Sequence, residues 1–263
     1  MTAAFVYDGL DAEALRRLTG APAVELRPTI GSVLDLAHER AAEGAPSGLL
    51  LLADEQTAGR GRQGRAWHSP AGAGVWVATL LRPSVRPFSG ALAIRAGLAV
   101  VEAVEVVLPA VWPRLKWPND LMVAGRKAGG VLCEARWSGG RQGWVAVGVG
   151  INVRGPIASE VGATAIALAE VAPAAARVPL VAALAPRLRA VADRPVSLEA
   201  AEREAFARLQ FVPPEDVAPS PVGSDAGERA REGGASVPVG VDDDGALLLR
   251  RPDGSLDRRV IPA

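Results

Sequence analysis

The segment from Gly59 to Trp67 reads G-R-G-R-Q-G-R-A-W and carries three arginines separated by glycines. Glycine lets a backbone approach a ligand closely, and the arginine guanidinium is a planar, permanently charged group that matches phosphate or carboxylate. Because the segment has no apolar face to bury, we predict a surface loop that binds an anion. A solvated basic loop or an RNA-binding tract fits the segment equally well when it is taken alone.

Three further segments favour a ligand site over a merely solvated loop. They are K-W-P-N-D at 116–120, R-K-A-G-G at 126–130 and G-V-G-I-N at 148–152. The whole chain has 29 basic and 29 acidic residues, so its formal net charge is zero. Because positive charge is local, a discrete anionic ligand is a better interpretation than a nucleic-acid surface.

The four segments, in this order, resemble the catalytic domain of the biotin–protein ligases, and the resemblance extends from about Thr29 to Phe206. It implies ATP-dependent biotinylation of a specific lysine on a biotin carboxyl carrier protein, such as the acceptor domain of acetyl-CoA carboxylase. The reaction passes through biotinyl-5'-AMP. The resemblance also implies ATP, Mg²⁺ and biotin, the last as a substrate.

The resemblance also assigns site residues. Lys127 matches the family lysine that lies between the biotin carboxylate and the α-phosphate, and Lys116 and Arg62 complete the predicted catalytic set. The other predicted ligand contacts are Ser32, Gln56, Gly59, Arg60, Gly61, Trp67, Asn119, Asp120, Gly129, Gly130 and Asn152. No side chain is assigned as a metal ligand.

Several of these roles have alternatives. Asn119 and Asp120 support the turn, orient Lys127 or help to hold magnesium. Trp67 stacks on adenine or packs beneath the loop, and Asn152, without the resemblance, is a strand-end cap. The family usually has Ser-Thr-Asn where this chain has S-V-L at 32–34, so the set of hydrogen bonds to the ureido ring of biotin differs here.

Other functions remain to be weighed. Lipoate ligases and octanoyl transferases share the architecture, but the arginine–glycine loop joined to K-W-P-N-D argues against them. A non-catalytic biotin-binding module is disfavoured by the presence of Lys116 and Lys127. Only about 28 residues precede the ligase segment, which is short for an independently folded DNA-reading domain, so we expect no DNA binding.

Composition excludes some other classes of site. The single cysteine, Cys133, rules out an intrachain disulfide, and its apolar surroundings indicate a buried small side chain instead of a nucleophile. His38 and His68 are too few for a histidine metal site. The chain has no leader or membrane-length apolar run, so we expect a cytoplasmic protein with no membrane partner, either a monomer or a homodimer.

Hydrophobic periodicity predicts the elements that position these residues. We predict helices at 10–20, 33–43, 89–107, 163–171, 178–192 and 197–209. We predict strands at 48–53, 75–81, 112–117, 121–123, 127–137 and 143–152, with a hairpin turn at Gly139-Gly140. Grouped strands with helices before and after them indicate an α+β domain, a mixed sheet covered by helices on one side.

The end of the chain changes in composition. We predict a catalytic domain over 1–210, a linker over 211–234 rich in Pro, Gly and Ser, and a small β domain over 235–263. Strands at 236–241 and 246–251, and a third near 258–261, match the SH3-like barrel of the family in an incomplete form. The three aspartates at 242–244 lack the spacing of a calcium loop and are better explained as a solvated turn.

Overall fold

The computed structural model describes residues 5–84, 89–138, 141–158, 163–213 and 236–260. The helices are α1 (Ala12–Thr19), α2 (Val33–Ala42), α3 (Ser89–Val107), α4 (Arg177–Ala190) and α5 (Ala200–Leu209). The strands are β1 (Val24–Ile30), β2 (Leu50–Gln56), β3 (Gly74–Leu81), β4 (Arg114–Lys116), β5 (Asp120–Val123), β6 (Arg126–Ser138), β7 (Arg141–Asn152), β8 (Val237–Val241), β9 (Leu247–Arg250) and β10 (Leu256–Arg259).

Seven strands form one sheet in the order β1-β2-β3-β7-β6-β5-β4. The β1–β2 pair is parallel, and the other neighbouring pairs are antiparallel. The sheet is therefore mixed, and the predicted α+β class is confirmed. Strand β1 was not predicted, because its sequence V-E-L-R-P-T-I contains charged residues and a proline that lower its β propensity.

Side chains alternate between the two faces of the sheet, and each face packs against helices. Along β7, Val145, Val147 and Val149 are buried in the larger cluster, which contains α3 and α4. Ala146 belongs to a second cluster, built on α2. The expectation of helices on one side only is therefore wrong. The short helix α2 covers part of the opposite face, and the uncovered part of that face is open to a ligand.

One predicted helix is also wrong. Over 163–171 the structure has only a short 3₁₀ turn, Leu168–Glu170. The preceding backbone pairs with the start of β6, since the Lys127 amide donates to the Thr164 carbonyl and the Ile166 amide donates to the Lys127 carbonyl. These strand-type hydrogen bonds take the place of helical ones. The run of small apolar residues therefore pairs with the sheet and does not form a helix. The predicted turn at Gly139-Gly140 lies outside the described residues.

The C-terminal strands form a separate antiparallel sheet in the order β10-β9-β8. This confirms a small C-terminal β unit with three strands among the described residues, and the third strand begins two residues earlier than predicted. Asp242 and Asp244 both pair with Arg258, which agrees with a turn. The Trp117 indole donates to the Gly245 carbonyl at 3.0 Å, so this sheet supports the K-W-P-N-D segment.

The predicted linker falls mostly outside the described residues, and the division at 210 and 235 stays a prediction. Among the helices of the described ranges, none has the length and apolar character needed to cross a membrane.

Candidate active site

A cavity of about 670 Å³ opens on the face of the sheet that carries α2. Its walls are the start of α2, the arginine–glycine loop and strands β5, β6 and β7. Every predicted site residue except Gly129 lines it. At Gly129 a side chain would come within 2.7 Å of the Gly150 carbonyl, so the glycine there allows close packing of strands. The volume lies within the range usual for cofactor-sized ligands.

One end of the cavity is built at the start of α2. Ser32 is buried and caps the helix, accepting the Leu34 amide at 3.3 Å on its hydroxyl oxygen. Gln56, at the end of β2, accepts the Val33 amide at 2.9 Å and donates to the Ser69 hydroxyl at 2.9 Å. We call this the apolar end; it comprises Ser32, Val33, Leu34, Gln56 and Leu132. Its polar groups are already hydrogen-bonded, and Val33 and Leu34 are buried.

The arginine–glycine loop folds back on itself as a short hairpin. The Gly61 amide donates to the Arg65 carbonyl at 2.7 Å, and the Trp67 amide donates to the Gly59 carbonyl at 2.8 Å. A Cβ at Gly59 would lie 2.5 Å from the Trp67 carbonyl, which explains why glycine is needed at this position. The hairpin turns through Gln63 in the left-handed region, with φ of 56°.

The Trp67 indole packs against the floor of the cavity. A Cβ at Gly150 would lie 2.6 Å from the indole nitrogen, so the glycine leaves room for the ring on strand β7. The indole N–H is buried and has no acceptor among the described residues. This geometry favours packing beneath the loop, the structural alternative for Trp67, although the ring also lines the cavity.

Lys127 enters the other end of the cavity from the start of β6. Its amine lies 2.7 Å from an Asp120 carboxylate oxygen and 5.1 Å from the centre of the Trp67 ring. It passes over Gly130, where an added Cβ would be 3.7 Å from Nζ. Of the three predicted roles for Asp120, the ion pair supports orientation of Lys127.

Two other cations at this end have no carboxylate partner among the residues that the structure describes. Within the described part of the chain, no carboxylate pairs with Arg62 or Lys116, whereas both line the cavity. Partial burial lowers the pKa of the Arg62 guanidinium, and the charge of Asp120 opposes that shift. We call this the cation end; it comprises Arg62, Lys116, Asp120 and Lys127. Cations that line a cavity without an ion-pair partner in the described ranges are suited to bind an anion.

The two asparagines are held by backbone carbonyls. The Asn119 side-chain amide donates to the Val131 carbonyl at 2.6 Å, and that of Asn152 donates to the Ile166 carbonyl at 3.3 Å. Asn119 therefore supports the turn between β4 and β5, one of its predicted roles. Both residues line the cavity, so their side-chain oxygens remain as acceptors near the ligand.

Three residues beside the cavity were not predicted as site residues, namely Asp35, His38 and Glu134. Arg60 pairs with Asp35 on α2 and with Glu134 on β6, and Glu134 is 2.8 Å from His38 Nε2. The available signal was a charged residue inside the apolar strand that runs from Val131 to Ala135. Cys133, by contrast, faces the α3 side, and burial raises the pKa of its thiol to about 12, so it is no nucleophile.

Comparison with known proteins agrees with this geometry. Residues 32–152 match the model of the biotin/lipoate A/B protein ligase family. A biotin–[acetyl-CoA-carboxylase] ligase of Paracoccus denitrificans is 36% identical over 242 residues, covering 84% of this chain and 91% of that protein. The bifunctional ligase/repressor BirA of Bacillus subtilis is 42% identical over 126 residues, covering 47% of this chain and 38% of that protein.

The matches to the first relatives are partial in length. The aligned part spans 43% of the Mycobacterium tuberculosis biotin–[acetyl-CoA-carboxylase] ligase, which is 41% identical over 119 residues. Among solved structures, the Aquifex aeolicus biotin protein ligase in complex with biotin and ATP superposes with a TM-score of 0.68 at 23% identity, covering 89% of this chain and 94% of that one. At that identity the superposition shows the fold. Together, the Paracoccus relative and the family match show that the chain belongs to the biotin–protein ligases of the biotin/lipoate A/B protein ligase family.

Proposed function

We propose that this protein uses ATP to attach biotin to a lysine of a biotin carboxyl carrier protein, in two steps. The observation that carries the proposal is the cation end, where Asp120 holds the Lys127 amine at 2.7 Å beside Arg62 and Lys116. Five cationic side chains and one carboxylate occur among the described residues that line the cavity. Such a site favours a ligand with several negative charges.

The first step joins two anions. A carboxylate oxygen of biotin attacks the α-phosphorus of ATP, and the bond from that phosphorus to the pyrophosphate oxygen breaks. Lys127 neutralises charge between the two reactants, and Arg62 and Lys116 bind phosphate oxygens. Because Asp120 and the Trp67 ring already hold Lys127, little reorganisation is needed when the charge develops.

The second step moves the acyl group. The unprotonated ε-amine of the carrier lysine attacks the acyl carbon of biotinyl-5'-AMP, AMP leaves as the C–O bond breaks, and the amine loses a proton to solvent. The anhydride must be protected from water before the carrier arrives. The arginine–glycine hairpin forms the wall of the cavity that serves this purpose.

The apolar end is suited to the ring system of biotin. The side chains of Val33, Leu34 and Leu132 provide apolar contact, and the Ser32 hydroxyl retains a proton to donate after accepting the Leu34 amide. A buried polar group without a partner costs about 1–3 kcal/mol, so the ureido group needs hydrogen-bond partners, and the Ser32 hydroxyl proton is one of them.

Magnesium is proposed to accompany ATP. Mg²⁺ is commonly held by one or two carboxylates, phosphate oxygens and water. Asp120, Asn119 and Asn152 line the cavity, and a carboxylate and two side-chain amide oxygens fit that donor chemistry. When bound, the ion would neutralise phosphate charge, whereas the lysines and Arg62 bind and orient the reactants.

We further propose that the acceptor is the biotin carrier domain of acetyl-CoA carboxylase, since the Paracoccus and Mycobacterium relatives are named for that enzyme. The cytoplasm is the proposed compartment. Monomer and homodimer stay alternatives, and absence of DNA binding stays a prediction.

Mass spectrometry of a purified biotin carboxyl carrier domain tests the function. We expect the domain to gain the mass of one biotinyl group after incubation with this protein, ATP, magnesium and biotin. Omission of ATP and replacement of the acceptor lysine by arginine are the controls. Transfer of lipoate or octanoate in competition with biotin would instead favour the related ligase activity, and biotin binding without transfer would indicate a non-catalytic module.

A further inference from the structure

Arg60 is engaged differently from the other arginines of the cavity. Its Nη1 pairs with Asp35 near the start of α2, and its Nη2 lies 3.2 and 3.1 Å from the two oxygens of Glu134. Arg62 and Arg65 also line the cavity, and neither has a carboxylate partner within the described ranges. The charge of Arg60 is therefore already compensated inside the protein, and this arginine is a poor candidate for binding phosphate.

Glu134 is itself oriented by a buried histidine. The Trp144 indole donates to His38 Nδ1 at 2.9 Å, and His38 Nε2 lies 2.8 Å from Glu134. Because Nδ1 accepts a hydrogen bond, the ring proton lies on Nε2 and points at the carboxylate. His38 is only 5% exposed, so its ring orientation is fixed by packing as well.

The charge state of Glu134 suits an ion pair with arginine. The hydrogen bond from His38, and then the charges of Arg60 and nearby groups, hold the pKa of this carboxyl below its ordinary value. The charged or titratable groups around it are His38 on α2, Arg60 in the loop and Arg136 on its own strand, with Asp35 on the far side of Arg60. Glu134 is therefore ionised at neutral pH.

The position of this group along β6 identifies the part of the cavity that it closes. Every second residue of β6 lies on the same face of the sheet, and one such set is Gly130, Leu132 and Glu134. Gly130 lies beneath Lys127. Glu134 is four residue steps along the strand from Gly130, a span of about 13 Å. Leu132 packs in the cluster that contains Val33 and Leu34. Arg60 therefore reaches across the apolar end, away from the cation end.

We propose that Arg60, Asp35 and Glu134 form a clasp that closes the apolar end around the biotin ring, with His38 as the positioning residue for Glu134. The clasp joins three elements, the loop, α2 and β6, and its opening enlarges the ring site. The identity of the enclosed ring rests on the proposed function, whereas the clasp itself does not.

The variant Glu134→Gln in the full chain tests the clasp, because it removes the charge and keeps the shape. Both side chains of the Arg60–Glu134 pair are about one third exposed, so the effect should be moderate. We expect the KM for biotin in pyrophosphate release to rise about three- to tenfold, with kcat and the KM for ATP within about twofold. Trypsin cleavage at 60–65 without ligand should also become faster.

A matched control is Glu25→Gln. Glu25 also lies on a strand and pairs with an arginine, but its partner Arg40 of α2 does not line the cavity, whereas Arg60, the partner of Glu134, does. We expect this variant to keep the wild-type KM for biotin and the wild-type rate of loop cleavage. A change equal to that of Glu134→Gln would mean that general loosening of α2, and not the clasp, explains the result.

A double-mutant cycle with Arg60→Ala shows whether the two residues act together. We expect the double variant to raise the KM for biotin no more than Arg60→Ala does alone, whereas independent residues would give multiplied effects. His38→Gln should raise the KM for biotin in the same direction by a smaller factor. If that variant does not fold, the Glu134 and Arg60 variants still decide.

Two outcomes overturn the clasp. One is an unchanged KM for biotin together with unchanged loop cleavage in Glu134→Gln. The other is a rise in the KM for ATP without a rise in that for biotin, which would assign Arg60 to the phosphates. If the wild-type protein forms no biotinyl-adenylate, the proposed function fails, and the cleavage experiment still tests the clasp by itself.

Discussion

The two ends of the cavity differ in whether their polar groups have partners within the protein. At the apolar end, the Ser32 oxygen and both polar atoms of the Gln56 amide have partners within the protein, as does the Arg60 guanidinium of the clasp. At the cation end, Arg62 and Lys116 have no carboxylate partner in the described ranges. The difference indicates that the apolar end is preformed for a nearly neutral ring and that the cation end is suited to bind an anion.

Desolvation explains the contrast. A buried polar group without a hydrogen bond costs about 1–3 kcal/mol, so an enclosed ring site must satisfy its groups before the ligand arrives. A partly exposed cation keeps its water and costs little while it is unpaired. When an anion displaces that water, the attraction strengthens in the less polar environment.

The largest effect is expected at the cation end. Lys127→Ala should lower the rate of biotinyl-adenylate formation on the order of a hundredfold or more, because it removes the proposed charge between the reacting anions. Pyrophosphate release measures the rate, and circular dichroism verifies the fold. Arg126→Ala is the control, since Arg126 is the adjacent cation, pairs with Glu170 and does not line the cavity. A rate near that of wild type in Lys127→Ala would remove Lys127 from the mechanism.

The wall beneath Lys127 is tested by Gly150→Ala. The new methyl group would lie 2.6 Å from the Trp67 indole nitrogen, so the ring that contacts Lys127 must move. We expect a loss of about 1–3 kcal/mol in the free energy of unfolding, as is usual for overpacking. Denaturant unfolding provides the measurement. Gly31→Ala, where nothing lies within 4 Å of the new atom, should leave stability nearly unchanged.

Arg62→Ala separates the two ends by kinetics. We expect the KM for ATP to rise about tenfold, the loss of one charge-assisted interaction, while the KM for biotin stays within about twofold. This pattern is the reverse of the one expected for Glu134→Gln. Equal increases for both substrates would show that the loop acts as one unit and that the division into two ends is too sharp.

The smallest effect is expected from Val33→Thr at the apolar end. A hydroxyl there could bond to the ureido group, and a neutral hydrogen bond is worth roughly 0.5–1.5 kcal/mol, so biotin should bind about two- to tenfold more tightly. Titration calorimetry with biotin measures the change. Unchanged or weaker binding would mean that Val33, which is buried among apolar side chains, contributes by packing alone.

The sequence motifs identified the site because they place glycines and positively charged residues within a few positions of one another. Lys127, Lys116 and Arg62 come from separate segments and line one cavity in the structure. At Gly59 and Gly150 a side chain would clash with Trp67. The sequence suggests that glycine is needed there, but it does not specify which atoms a side chain would meet. The clasp was not predicted, because Asp35, His38 and Glu134 lie on α2 and β6, and nothing in their spacing links them to the loop.

The same distinction holds for the fold. Helix α3 was predicted with its observed bounds, since nineteen residues of mostly apolar sequence leave a clear helical signal. The predicted helix at 163–171 was wrong because the backbone near Thr164 finds its hydrogen bonds on β6, a partner remote in sequence. Strand β1 was missed for a related reason, since its pairing with β2 outweighs its weak local propensity.

The sequence alone determined the α+β class, the resemblance to the biotin–protein ligases and the cations and glycines of the site. These follow from local patterns of charge, size and apolar period, which act within a few residues. The tertiary structure decided which charges remain unpaired. Arg60 and Arg62 are two residues apart and chemically identical, yet Asp35 and Glu134 neutralise only Arg60. Electrostatic pairing depends on distance in space, and only the folded sheet brings β6 and α2 to the first of these arginines.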